Sequence, residues 1–120
     1  MNKTETPTGP VQLSDADELN EFIEEHDRVM VEFYTEGCGI CASMEPVIGL
    51  IAQTTSVAVG TVNPRDDPSL IENYTIKSVP KFILFEEGKI IDERADGHIE
   101  ADNLREWIDE SFTSTNEDTI

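Results

Sequence analysis

A chain of 120 residues with two cysteines makes one domain, too short for two and too poor in cysteine for a multi-bridge secreted framework. Its 26 acidic against 8 basic residues give a net charge of −18, which repels nucleic acid and anionic membranes and removes both as expected partners. Self-repulsion of that size fades at about 1 M salt, where the Debye length is roughly 3 Å, so a halophilic, salt-rich cytoplasm is the expected setting, against an acidic surface tuned to basic partners.

Residues 1–10 carry one lysine, no apolar core of a leader peptide and no apolar period. They read as a mobile N-terminal arm of a cytoplasmic protein. A short edge strand is expected at 11–13. Ser14 is the expected N-cap of a first helix in which Leu19, Phe22 and Ile23 recur at helical spacing to about His26. Residues 29–34 are β-branched and aromatic, a strand with burial on both faces, interrupted by Glu32.

Next comes Cys38-Gly39-Ile40-Cys41, where the strand pattern gives way to a helical one. If a helix opens at Cys38, the two sulfurs hang from i and i+3 of its first turn. The Cα atoms then lie about 5 Å apart, inside the roughly 4.4–6.8 Å that a disulfide needs. Free N–H groups and the helix dipole favour the Cys38 thiolate over its thiol. A nucleophilic sulfur with a second in reach is the minimum for thiol–disulfide exchange. Glu36 opposes the thiolate but is expected to be a solvated charge. A static disulfide, or zinc held with His26 and His98, are the weaker readings of the pair, and both histidines read as ordinary surface or loop residues.

The helical period continues through Met44, Val47, Ile48 and Ile51, with a kink expected at Pro46. A strand follows at 57–62, then Asp67 and Pro68 as N-cap and first residue of a third helix reaching Tyr74. Strands at 81–85 and 89–94 flank a hairpin turn at Glu87-Gly88. The final helix carries Ala101, Leu104, Ile108 and Phe112 on one face beside Trp107, and residues 113–120 read as a polar tail. The order β-α-β-α-β-α-β-β-α predicts an α/β fold, a mixed central sheet with helices on both faces.

From about residue 11 to 112 the chain resembles the thioredoxin family. Four features carry the likeness: the strand running into Cys-Gly-x-Cys, Pro46 five residues after Cys41, Val79-Pro80 ahead of Phe82-Ile83-Leu84-Phe85, and Glu87-Gly88 in the hairpin. The resemblance implies that Cys38 is the exposed attacking thiol, Cys41 the buried resolving thiol, and Pro80 a cis-proline packed on the pair. It also implies a substrate groove formed by Gly37, Gly39, Ile40, Val79 and Gly97, in which an extended substrate segment pairs with the Val79 backbone.

Three departures stand out. Gly37 replaces the family's Trp and removes an aromatic shield. Ile40 replaces its Pro and frees the backbone around the dithiol. Glu32 stands for the family's buried Asp, with Thr61 where a lysine is often paired with it. Burial is expected to raise the Glu32 pKa, so that it serves as base when Cys41 loses its proton.

The implied activity is protein-disulfide reduction in cell redox homeostasis, by a monomer that needs no cofactor and no metal. The chain has no nucleotide fingerprint, so electrons are expected from a partner thioredoxin reductase. A reductant specialised for a single client, or a thioredoxin-fold interaction module without redox activity, are the alternatives.

Overall fold

The central strand explains the rest of the molecule. In the computed structural model, which describes residues 5–117, β2 (Arg28–Phe33) is buried at every position after Arg28. Its side chains alternate between two cores. Val29, Val31 and Phe33 pack with Leu19, Phe22 and Ile83, while Met30 packs with Ile48, Leu84 and Trp107. A strand buried on both faces needs layers on both sides and neighbours at both edges.

The neighbours are β3 (Ala58–Val62), parallel to β2, and β4 (Lys81–Glu86), antiparallel to it. Outside them lie β1 (Val11–Leu13), parallel to β3, and β5 (Lys89–Arg94), antiparallel to β4, giving the order β1-β3-β2-β4-β5. Helices α1 (Ala16–Glu25) and α4 (Ser69–Asn73) cover one face. Helices α3 (Glu45–Thr54) and α5 (Ala101–Glu117) cover the other. The α/β sheet with helices on both faces is the expected fold.

Local differences have local causes. The cap of α1 is Asp15, not Ser14. Asp15 Oδ1 accepts from Glu18 N–H at 2.9 Å, and Glu18 Oε1 in turn accepts from Ser14 N–H at 2.8 Å, a reciprocal arrangement displaced by one residue. Asp67 precedes α4 by two residues. It accepts from Ser69 through one oxygen and from Ala16 N–H through the other at 2.9 Å, joining the starts of α4 and α1.

The kink expected at Pro46 is a full break. Five-residue α2 (Gly39–Ser43) ends at Met44 and α3 begins at Glu45, because a proline at this position has no N–H to continue the ladder. Helix α5 runs on to Glu117, past Phe112, where its apolar period ends. Residues 1–4 of the expected arm and 118–120 of the expected tail lie outside the described residues.

Gly60 is required by packing. A Cβ there would stand 2.9 Å from Leu13 Cδ1 and 3.0 Å from the Phe22 ring, so α1 and β1 close over bare backbone.

Candidate functional site

Strand β2 delivers the chain to the site. Tyr34 N–H donates to the Val62 carbonyl at 3.1 Å, extending the ladder one residue, and Gly37 then turns the chain with φ at 82°. Cys38 caps α2 from an extended conformation, and its Sγ accepts from Cys41 N–H at 3.1 Å. A disulfide joins Cys38 to Cys41, whose Cα atoms are 5.2 Å apart. Cys38 is half-buried, whereas Cys41 is 4% exposed. One sulfur is reachable and the other is shielded. With only five residues in α2 the summed helix dipole is small, so direct N–H donation is the main local stabiliser of negative charge on Cys38.

Glu32 shares the sheet face of Met30 and has Thr61 as its partner on β3. It is 2% exposed, and its Oε2 has no hydrogen-bond partner. Burial, reinforced by the negative charge of Glu45, raises its pKa from 4.5 to about 7. A cleft of about 420 Å³ brings Glu32 together with Gly37, Cys38, Cys41, Glu36 and Glu45. The cleft also reaches Gln12 and Tyr34, whose side chains are joined by a 3.0 Å hydrogen bond from the Gln12 amide to the phenol oxygen. Glu36 and Glu45 are exposed.

The other anticipated residues gather at the same end of the sheet but do not line this cleft. The Val79–Pro80 bond is cis. Pairing of Phe33 with Lys81 sets buried Pro80 across from Tyr34, four residues ahead of Cys38. Lys81 Nζ holds the preceding loop by donating to the Tyr74 and Thr75 carbonyls and pairing with Glu93 at 2.9 Å. Gly97, at φ 83°, opens a turn that docks on the end of α2. There Ile99 N–H points at Met44 Sδ, 3.3 Å away, and His98 Nδ1 lies 2.9 Å from Ser43 Oγ. Ile40 is 49% exposed beside the disulfide.

Sequence reasoning missed Glu45, although its position four residues after Cys41 was a usable signal. Gln12 had none, because the pairing of β1 with β3 that brings it here is a long-range choice. Of the two histidines, His26 is not a surface residue but buried, with its ring edge on Phe22 at 4.9 Å, whereas His98 is the expected exposed loop residue. Among the described residues no three His, Cys, Asp or Glu side chains are grouped to hold a metal ion, and no helix is long and apolar enough to cross a membrane.

Residues 10–110 match the family model described as Thioredoxin. The chain is 37% identical over 101 residues to a thioredoxin of Chlamydia caviae, a match covering 83% of this chain and 97% of that one. Among solved structures, a mutant thioredoxin from Halobacterium salinarum superimposes with a TM-score of 0.84 at 29% identity, over 90% of this chain and 95% of that one. Mitochondrial thioredoxin 3 from Saccharomyces cerevisiae gives 0.75 at 22% identity, over 83% and 93% of the two chains, a likeness of fold alone.

Proposed function

The chain belongs to the thioredoxin family, and from that premise we propose how its residues divide the work of a protein dithiol–disulfide oxidoreductase. Cys38 thiolate attacks one sulfur of a substrate disulfide. That S–S bond breaks, one substrate sulfur leaves as thiolate, and a mixed disulfide joins Cys38 to the other. Cys41 then gives up its proton and attacks Cys38 Sγ. The second substrate sulfur leaves, two electrons have passed to the substrate, and the Cys38–Cys41 disulfide remains. The observation that carries this assignment is the contrast between half-buried Cys38 and 4% exposed Cys41 at the ends of one helical turn.

Glu32 is the base for the second step. It lines the same cleft as Cys41, and a carboxyl titrating at about 7 exchanges protons with a thiol near neutral pH. Val79, Pro80, Gly97, Gly39 and Ile40 form the substrate groove on the other side of Cys38. Partner proteins supply the disulfides, and a thioredoxin reductase returns the electrons. A salt-rich cytoplasm as working medium is supported by the net charge of −18 and by the likeness to the Halobacterium salinarum protein.

The test is trapping. Cys41→Ser should accumulate a mixed disulfide with a disulfide-bonded protein substrate, visible as a mass adduct that reductant removes. Cys38→Ser should form none and reduce nothing. An adduct formed equally well through Cys41 in the Cys38→Ser variant would reverse the assignment of attacker and resolver.

A further inference from the structure

Three carboxylates line the cleft beside Cys38, with Glu32 at its buried end and Glu36 and Glu45 at its exposed margin. Among the described residues, no lysine, arginine or histidine lines it. Glu32, 2% exposed, presents an Oε2 with no donor. The cross-strand partners of Glu32 are Thr61 and Phe82, and the Gln12 amide donates to Tyr34. A buried acceptor without a donor is costly, and a donor brought in from outside relieves that cost.

The lining limits what that donor is. The three carboxylates line one cleft, yet among the described residues they are not grouped as metal ligands. An elongated cation fits better, with an apolar stem to lie against Ile48 and Ala42 and a charged head with several N–H groups. Lysine and arginine side chains have that form. Because the cleft opens on Cys38, such a side chain would belong to the protein whose disulfide is attacked.

We infer that the cleft receives a lysine or arginine side chain flanking the substrate's disulfide, and that Glu36 and Glu45 thereby select basic substrates. The inference rests on Cys38 being the attacking thiol. It differs from general attraction by the −18 charge, which acts at long range and is lost in molar salt, whereas a pair made inside the cleft is screened less.

The experiment compares two disulfide peptides, identical except that lysine or uncharged norleucine flanks the cysteine on each side, at about 1 M KCl, where the Debye length is roughly 3 Å. The native protein should favour the lysine peptide in kcat/KM by about fivefold. The preference should fall below about twofold in Glu36→Gln/Glu45→Gln and persist in Glu106→Gln/Glu110→Gln, which removes the same charge from exposed positions of α5. Equal kcat/KM for the two peptides, or equal loss of preference in both double variants, would overturn the inference and leave the reductase reading standing. Failure to reduce either peptide would sink both.

Discussion

Moving the carboxyl of Glu32 from 4.5 to about 7 makes its ionisation a cost to the fold. Below about pH 4.5 the group is protonated in the folded and unfolded chains alike, and it costs nothing. Between 4.5 and 7 the unfolded chain has lost the proton while the folded one keeps it, so stability falls as pH rises and levels off above about 7. The full difference is on the order of 3 kcal/mol. Glu32→Gln, which keeps the shape without the charge, should therefore be more stable than the native protein at pH 8. It should match it near pH 4, as followed by denaturant unfolding. In turnover the sign is opposite. The native rate should climb as Glu32 ionises through about 7, while the Gln variant should be slower at neutral pH and lose that rise, with mixed-disulfide formation intact. Unchanged turnover kinetics would remove Glu32 from the mechanism. This residue was legible as the one charge inside an apolar strand. Its neighbour Glu45 was not read, because its effect on Glu32 depends on how α3 leaves the break at Met44.

Elements were legible wherever one local signal dominated. Pro46 announced a fault in the second helix, and Glu87-Gly88 announced the hairpin, where both residues hold positive φ. The α1 cap was misplaced by one residue because Ser14 and Asp15 are both good caps, and the choice falls to whichever backbone is extended and oriented toward Glu18 N–H. Strand order was harder. Periodicity marks β1 and β3 as strands, but their parallel pairing is fixed by packing across the sheet, and with it the place of Gln12 in the cleft. Gly60 shows how tight that packing is. Gly60→Ala should cost about 1–3 kcal/mol in denaturant unfolding, because the new methyl meets Leu13 and the Phe22 ring, both held in the core. A smaller change would mean that α1 lifts off the sheet at little cost.

For the whole molecule the governing quantity is charge. With −18 on 120 residues, folding brings like charges together, and the repulsion reaches across the domain when the Debye length is about 10 Å, as at 0.1 M salt. The melting temperature should climb steadily as KCl is raised from about 0.1 M to above about 1 M, where that length is roughly 3 Å. Equal stability at both ends would remove the case for a salt-rich interior. That charge was legible from composition, since it does not depend on the fold. The cleft that concentrates part of it beside Cys38 was not, since Glu32, Glu36 and Glu45 meet only after the sheet and α3 are assembled. The disulfide has the opposite reach. It spans three positions in the sequence, so closing it removes about 2 kcal/mol of unfolded-chain entropy on the chain-entropy relation, against about 4.7 for a hundred-residue loop. On that term alone the globally open population is still about thirtyfold smaller with the bridge closed, so the spent, oxidised carrier should outlast the loaded one under a protease that cuts only unfolded chain.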